Sequence, residues 1–387
     1  MPDIFTLLTA AVAVLWAAML LRGRFWRAAP HLPDQPAPER RVWPSVVAIV
    51  PARNEAAFVE RTLESLRRQE YGGRLTIVLV DDGSEDDTAA RARRAGQGPG
   101  HPLTVVQAAP PPAGWAGKVW AMDQGLNHAR ELAPKAKYLW FTDADVEHDP
   151  RVLARLVQQA EYAMLDMVST LVMLSCRGLW ERILIPAFVF FFQKLYPFHR
   201  VNDPASPAAA AAGGCMLVRR TALRDAGGLA TIGSALIDDC ALARALKNRG
   251  QIWLGLTRDS RSLRSYGLSG VWAMVTRTAF TQLGYSPLRL AGVAVGMVIL
   301  YLLPIAALIA GAAVGHATLL VSAGAALALM AIAYRPTLKL YGQPLVAALG
   351  LPVAAALYVL MTLDSARRYW QGRGGTWKDR VQAPTGE

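Results

Sequence analysis

Cysteine is scarce in this chain, which has only three such residues among 387. Cys176, Cys215 and Cys240 are odd in number and lack the spacing of a zinc-binding motif. The sequence therefore offers no disulfide framework, and its cysteine content favours a reducing compartment.

Two glycine-rich phosphate-binding motifs are also missing. No G-x-G-x-x-G follows the first apolar strand pattern, and G-x-x-x-x-G-K-[ST] occurs nowhere in the sequence. Their absence disfavours dinucleotide-dependent oxidoreductases and P-loop NTPases. A diphosphate group bound by this chain would have to be held by a metal ion and by basic side chains.

Charged residues are nearly absent from four long segments, and apolar residues make up 53% of the chain. The segments are 4–21, 290–311, 317–334 and 345–363. Their lengths are those of helices that cross a lipid bilayer. We predict an amino-terminal anchor and two or three further membrane helices after residue 288.

The flanks of the first segment indicate its orientation. Asp3 precedes the segment, and Arg22, Arg24 and Arg27 follow it. A cleaved signal peptide carries its positive charge before the apolar stretch, so the reversed order predicts a retained anchor. Positively charged flanks mark the cytoplasmic side of a membrane helix. We therefore predict a protein of the inner (cytoplasmic) membrane in which the residues after the anchor lie in the cytoplasm.

The net charge of +12 comes largely from arginines beside the apolar segments and in the tail, which favours anionic lipid over nucleic acid as the partner. Three crossings after residue 288 would leave the tail outside, although its basic residues favour the cytoplasm. Those residues are Arg367, Arg368, Arg373, Lys378 and Arg380. Either one of the three segments is re-entrant or interfacial, or the tail is an exception to the charge rule.

These patterns divide the chain into five predicted parts. They are an anchor (1–24), a proline-rich linker (25–43), a domain (44–285), membrane helices (288–365) and a basic tail (366–387). Within the domain, segment 179–198 combines many aromatic residues with charged residues at both ends. We interpret this segment as an interfacial helix or lipid-facing lip, with a buried core helix as the alternative.

The domain alternates buried strand patterns with helical patterns. The strand patterns are 46–50, 75–80, 103–107 and 138–142, and the helical patterns include 58–69 and 118–130. Such alternation predicts an α/β fold with a mostly parallel sheet. Ligands bind such sheets at the carboxyl ends of the strands.

Three pairs of acidic residues occur where ligands are expected. They are Asp81 and Asp82 after the second strand, Asp143 and Asp145 after the fourth, and Asp238 and Asp239 at the start of a predicted helix. Aspartate is common in turns and helix caps, so each pair alone is a weak signal. Their joint placement after successive strands indicates a functional site.

Asp143 and Asp145 are spaced so that both carboxylates can point the same way. Oxygen ligands of this kind suit Mg²⁺ or Mn²⁺, which would bridge a substrate diphosphate and act as a Lewis acid. As an alternative, Asp143 caps the helix that begins near Pro150. Lys118 and Arg277 are candidates for binding the diphosphate.

The motifs resemble those of family 2 glycosyltransferases over residues 44–285. VPARNE at 50–55 resembles the first-strand motif of that family, and VDDGSEDDT at 80–88 resembles its nucleoside-binding motif. The D-x-D of 143–145 resembles the metal motif, and Asp238-Asp239 stands where the family has Glu-Asp. The resemblance implies a GT-A nucleotide-sugar-binding domain, with membrane helices on both sides of it.

Site roles follow from this resemblance. It implies that Asp145 ligates the metal, that Asp239 is the catalytic base and that Asp238 lies beside it in place of the usual glutamate. The Q-x-x-R-W motif of the family is reduced to Arg277 within 274–278. The residues implied to bind the nucleotide-sugar are Pro51, Arg53, Glu55, Asp82, Lys118, Asp143 and Arg277.

Three further motifs are similar to a membrane-bound subgroup, the bacterial hopanoid-associated glycosyltransferases, which are related to ceramide glucosyltransferases. They are GWAGK at 114–118, RTAFTQL at 277–283 and WKDR at 377–380. This similarity implies inverting transfer from a UDP-sugar to a hydroxyl of a lipid, with a hopanoid as one candidate. Two alternatives stay open: a polyprenyl-phosphate sugar transferase, and a catalytically silent protein that binds a nucleotide-sugar or lipid.

Overall fold

A computed structural model describes residues 3–33 and 42–374, with the backbone of 376–377 and 380–381. The chain divides into two compact units. The helical unit comprises Met1–Ala28, Cys176–Pro197 and Tyr266–Gly374, and the sheet unit comprises Ala29–Ser175, Phe198–Ser265 and Gly375–Glu387. Parts of the predicted linker and tail, including most of the WKDR motif, lie outside the described residues.

Eight strands form the main sheet, in the order β3-β2-β1-β4-β7-β6-β8-β5. They are β1 (Val46–Ala52), β2 (Leu75–Asp81), β3 (Leu103–Gln107), β4 (Tyr138–Thr142), β5 (Val146–His148), β6 (Met167–Met173), β7 (Cys215–Arg219) and β8 (Ile252–Ser262). Two short strands, β9 (Thr376–Trp377) and β10 (Arg380–Val381), form a separate antiparallel pair.

The first four strands are parallel neighbours, as the sequence predicts. Every residue of β1, β2 and β4 is buried, because apolar and β-branched side chains pack against helices on both faces of the sheet. The other half is mixed, since β7 runs antiparallel to β4 and β6, and β5 runs antiparallel to β8. The fold is therefore a GT-A-like α/β fold with a mostly parallel sheet.

Fourteen α-helices occur in the described residues. They are α1 (Ile4–Arg22), α2 (Val59–Arg67), α3 (Thr88–Ala95), α4 (Gly117–Leu132), α5 (Val152–Tyr162), α6 (Leu179–Leu195), α7 (Phe198–Val201), α8 (Arg220–Asp225), α9 (Asp238–Lys247), α10 (Leu268–Gln282), α11 (Pro287–Met297), α12 (Leu303–Val314), α13 (Ala317–Leu340) and α14 (Leu351–Trp370).

Helix α4 packs closely on β1 and β2. A Cβ atom at Gly125 would lie 2.6 Å from Cγ2 of Ile49 and 3.0 Å from Cγ2 of Val80. Glycine therefore lets this helix approach the sheet at a distance that any larger residue would prevent. The close packing fixes the amino-terminal end of α4, which carries Lys118, relative to the sheet.

Four helical segments of the helical unit are long and apolar enough to cross a membrane: Ile4–Arg22, Pro287–Val314, Ala317–Leu340 and Leu345–Trp370. Each contains one of the predicted apolar segments and extends beyond it. Pro287–Val314 is continuous through a π-helical turn at Val298–Leu302. Pro304 follows this π-helical turn, at the start of α12.

Helix α6 is the predicted aromatic helix. The Phe190 ring is buried, 5.6 Å from Phe25 and 5.3 Å from Tyr334 between centroids. The Phe191 ring lies 5.5 Å from Tyr301 and 5.2 Å from Tyr358, also between centroids. These two rings pack among helices of their own unit, as the core alternative expects.

Candidate active site

The turn after β4 carries Asp143 and Asp145, and neighbouring side chains fix its backbone. The Thr62 hydroxyl donates a hydrogen bond of 2.9 Å to the Ala144 carbonyl. The Val146 N–H donates to the Asp143 carbonyl at 3.3 Å. Helix α5 begins at Val152 with Arg151 at its N-cap, so the alternative role of Asp143 as a helix cap is wrong.

Lys118 joins two of the acidic pairs. Its Nζ lies 2.9 Å from Oδ1 of Asp143 and 3.5 Å from Oδ2 of Asp238. Burial disfavours the charged ammonium, but the carboxylates of Asp143, Asp238 and Asp239 outweigh this effect and raise the Lys118 pKa. The residue is therefore a fixed positive charge between two segments that lie far apart in sequence.

Asp239 is held by backbone donors on both carboxylate oxygens. Oδ2 accepts a hydrogen bond of 2.9 Å from the Gly213 N–H, and Oδ1 accepts one of 2.7 Å from the Cys240 N–H. Burial and the negative charge of Asp238 raise the pKa of Asp239 to about 6, although Lys118 opposes the shift. The result is an oriented carboxylate that is more basic than an ordinary aspartate.

Gly213 makes this geometry possible because it leaves room for both charged groups. A Cβ atom there would lie 3.1 Å from Nζ of Lys118 and 3.4 Å from Oδ2 of Asp239. The Gly213-Gly214 turn thus brings a backbone donor against the site without adding a side chain.

Arg264 joins Glu55 to Asp145. Its Nη2 donates to Oε1 and Oε2 of Glu55 at 2.9 and 2.6 Å, and its Nε donates to Oδ2 of Asp145 at 2.9 Å. The guanidinium carbon lies 5.0 Å from the centroid of the Phe58 ring. The sequence analysis missed this residue, although it follows β8 as the acidic pairs follow their strands.

Arg53 connects the first-strand motif at 50–55 to the nucleoside motif at 80–88 by hydrogen bonds. Its Nη1 donates to the carbonyls of Asp82 and Gly83 at 2.7 and 2.9 Å. The Asp82 N–H donates to the Ala52 carbonyl at 2.8 Å. Arg53 therefore holds two loops together, and Pro51 lies within β1 just before them.

The predicted site residues form two charged groups in the sheet unit. Lys118 gathers Asp143, Asp238 and Asp239, and Arg264 gathers Glu55 and Asp145. Arg277 lies on α10, which belongs to the helical unit.

The oxygen chemistry at 143–145 fits a hard divalent cation, but no set of three or more His, Cys, Asp or Glu forms a ready cation site among the described residues. Asp143 and Asp145 are each paired with a cationic side chain. A metal ion held by Asp143 or Asp145 would have to exchange with one of these cations.

Comparison with known proteins finds a family whose model resembles part of this chain. Residues 47–227 match the family described as Glycosyl transferase family 2. An uncharacterized glycosyltransferase of Mycobacterium tuberculosis is 34% identical over 116 residues, which cover 30% of this chain and 39% of that protein. An N-acetylglucosaminyltransferase of Rhizobium leguminosarum bv. phaseoli is 53% identical over 49 residues, 12% of this chain and 11% of its own. These curated relatives are thus matched over well under half of their length.

A solved structure has a fold similar to that of this chain. The mannosyltransferase PcManGT from Pyrobaculum calidifontis, in complex with GDP-Man and Mn²⁺, aligns with 94% of this chain and 99% of its own. Its TM-score is 0.52 and its sequence identity is 23%, so the likeness concerns the fold.

Proposed function

We propose that this chain is a membrane-anchored glycosyltransferase that moves a sugar from a nucleotide-sugar to a hydroxyl of a lipid acceptor, with inversion at the anomeric carbon. The proposal rests on the hydrogen bonds and charged neighbours of Asp239. Its carboxylate is oriented by two N–H groups, has a raised pKa and lies beside the fixed charge of Lys118. This is the arrangement that a general base next to a diphosphate site requires.

In this proposal, the donor binds at the strand ends. Glu55 and Asp82 contact the nucleoside, and Lys118 binds the diphosphate. Asp145 would hold Mg²⁺ or Mn²⁺, and such an ion would supply Lewis-acid stabilisation of the negative charge on the leaving diphosphate. The donor is a UDP-sugar, as the similarity of the motifs implies.

Asp239 then takes the proton of the acceptor hydroxyl as its oxygen forms a bond to the anomeric carbon. The bond from that carbon to the diphosphate oxygen breaks on the opposite face, which gives the inverted product. A positioned base of this kind contributes about 10²- to 10⁴-fold to turnover. The apolar helices favour an acceptor that resides in the membrane, and a hopanoid is one candidate.

The relatives define which donors to test first. One relative is named an N-acetylglucosaminyltransferase, and the aligned structure contains GDP-Man. Membranes containing this chain should therefore be supplied in parallel with labelled UDP-GlcNAc, UDP-glucose and GDP-mannose, together with a bacterial lipid extract. We expect label in the organic phase from one of these donors, and from a UDP-sugar in particular.

The controls separate the elements of the proposal. Removal of divalent cations and Asp145→Asn should each abolish transfer, whereas Asp225→Asn on the exposed end of α8 should not change it. Label transferred only to a polyprenyl phosphate would support that alternative. Absence of transfer from every donor, with nucleotide binding retained, would support the catalytically silent alternative.

A further inference from the structure

We propose that the segment Leu345–Trp370 enters and leaves the membrane from one side. Arg24, two residues after α1, and Gln371, directly after α14, then face the cytoplasm, and Val314, at the end of α12, faces the opposite side. The partner of Leu345–Trp370 is a single lipid leaflet.

Three of the apolar segments alternate in direction. Nε2 of His316 at the start of α13 lies 3.8 Å from Oδ2 of Asp3 at the start of α1, and α13 also contacts the short turn Phe25–Arg27 after α1. Helices α1 and α13 therefore run parallel. Gly315, with φ of +65°, reverses the chain between α12 and α13, so α12 runs antiparallel to both. Three alternating crossings are consistent with this order.

The fourth segment ends where the second begins. The rings of Tyr285, just before α11, and Tyr369, in the last turn of α14, stack with centroids 4.4 Å apart. The Ser365 hydroxyl donates to the Thr276 carbonyl on α10 at 2.6 Å. Leu290, Phe280 and Ala366 form one buried cluster.

This contact is incompatible with three successive crossings after residue 288. The hydrocarbon core is about 30 Å thick, and three crossings would leave the start of the first and the end of the third on opposite sides. Tyr285 and Tyr369 are in contact, so one of these segments does not cross. The first two crossings are fixed by the hairpin at Gly315, which leaves Leu345–Trp370.

The chemistry of the segment fits one leaflet. Its early apolar side chains are exposed in the helical unit, including Val346 at 67% and Leu349 at 72%. Its last turn carries Arg367 and Arg368, beside exposed Trp370. Apolar residues at one end and basic and aromatic residues at the other suit a helix that dips into the cytoplasmic leaflet and returns to anionic headgroups.

Single cysteines at the three helix ends test this topology. Val314→Cys, Arg24→Cys and Gln371→Cys, each at an exposed position of the full chain, are treated in intact cells with a membrane-impermeant maleimide. The unsubstituted protein is the control, because it shows how much label its three native cysteines take up. We expect labelling of Val314→Cys alone in intact cells, and of all three variants after permeabilisation. Labelling of Gln371→Cys in intact cells, or no labelling of Val314→Cys, overturns the proposal.

A second inference rests on the proposed function and on a different observation. We infer that Arg264 is a positioning residue. Its guanidinium is hydrogen-bonded to the Asp145 oxygen that would bind a divalent ion, and it must leave that oxygen before the ion can bind. Its three hydrogen bonds to Glu55 and Asp145 span 2.6 to 2.9 Å. Both carboxylates are buried, so their negative charge needs a partner when no metal is bound.

The exchange requires only one of these contacts to break. Arg264 bonds Glu55 through Nη2 and Asp145 through Nε, so it can release Asp145 and remain on Glu55. Competition with a built-in cation lowers the affinity of Asp145 for a free metal ion. Arg264 thereby links metal binding at Asp145 to Glu55, the carboxylate proposed to contact the nucleoside.

Binding of Mn²⁺ to the purified full-length protein, measured by the electron paramagnetic resonance of the free ion without nucleotide, tests this role. Arg264→Gln should bind Mn²⁺ about tenfold more tightly than the unsubstituted protein, because Asp145 loses its competing cation. Arg261→Gln, which removes an exposed arginine of β8 paired with Glu147 of β5, should leave the affinity unchanged. Arg264→Lys keeps the charge, so its Mn²⁺ affinity should lie between those of the unsubstituted protein and Arg264→Gln. This variant replaces Arg264→Gln in the test if Arg264→Gln does not fold.

The result separates this inference from the proposed function. If Asp145→Asn abolishes Mn²⁺ binding but Arg264→Gln and Arg264→Lys do not strengthen it, the role of Arg264 is wrong and the metal site stands. If Asp145→Asn leaves Mn²⁺ binding unchanged in the presence of UDP, the metal site itself is wrong.

Discussion

At the scale of single residues, Asp239 and Asp238 are adjacent but differently placed. Asp239 accepts hydrogen bonds from two backbone N–H groups, whereas Asp238 forms an ion pair of 3.5 Å with Lys118. We expect Asp239→Asn to lower turnover by about 10²-fold or more, with nearly unchanged donor affinity, because the amide cannot take a proton as a carboxylate does. Initial rates of transfer and calorimetry with UDP measure the two quantities.

Asp238→Asn is the matched variant. It should reduce turnover less, because its main contact is with a charge that Asp143 also neutralises. An inactive Asp238→Asn beside an active Asp239→Asn would reverse the assignment of the base. Full activity in both variants would favour a phosphate acceptor, which needs no strong base.

The pKa of Asp239 gives a dependence of turnover on pH. A general base works when deprotonated, so turnover at saturating donor should rise with pH and reach half its plateau near pH 6, where the raised pKa lies. Asp238→Asn removes a negative charge that contributes to this shift, so the half-maximum should move to lower pH. A profile that stays flat from pH 5 to about 8, in the usual working range of such assays, would contradict the assignment.

At the scale of elements, helix α6 distinguishes two kinds of aromatic position. Phe190 is fully buried against Phe25 and Tyr334, whereas Phe188 is half-buried and contacts Phe192 of its own helix. Phe190→Ser should therefore destabilise the protein strongly, on the scale of about 3 to 5 kcal/mol known for buried aromatic truncations. Phe188→Ser should cost much less.

Thermal unfolding in detergent measures both variants. If Phe188→Ser keeps its fold and UDP binding but loses transfer to a lipid acceptor, the exposed side of α6 contacts the acceptor or the lipid. Equal destabilisation by both substitutions would show that the whole aromatic cluster is core.

At the scale of the whole molecule, the apolar helices predict how the protein is retained by membranes. Four segments have the length and composition of membrane helices, and three alternate in direction. Washing membranes with alkaline carbonate or high salt should leave the protein in the pellet, because burial of apolar surface in hydrocarbon is insensitive to charge screening. Release by salt alone would indicate a peripheral protein held by its basic residues.

The sequence by itself determined the local features of this protein. Apolar and β-branched runs predicted β1 to β4 within one or two residues at each end. The signal is clear for β1, β2 and β4 because these strands are buried throughout, whereas β3 is only partly buried. Uncharged segments of bilayer length predicted four helices that are long and apolar enough to cross a membrane. The acidic pairs could be located because turns at strand ends expose side chains to ligands.

Sequence patterns did not reveal the second half of the sheet. Strands β5 to β8 include two that run against their neighbours, and β5 has only three residues. A strand as short as β5 carries no distinctive periodicity, and the pairing of strands in this half depends on the rest of the sheet.

Only the tertiary structure decided which charges meet and which helix ends lie next to each other. Arg264 contacts Glu55 across a separation of 209 residues, and Lys118 contacts both Asp143 and Asp238. The stack of Tyr285 on Tyr369 likewise joins the two ends of a long segment. A sequence pattern reports the preference of a residue for burial or solvent within a short window. Pairing over such separations depends on the path of the whole backbone, which packing of the complete core determines.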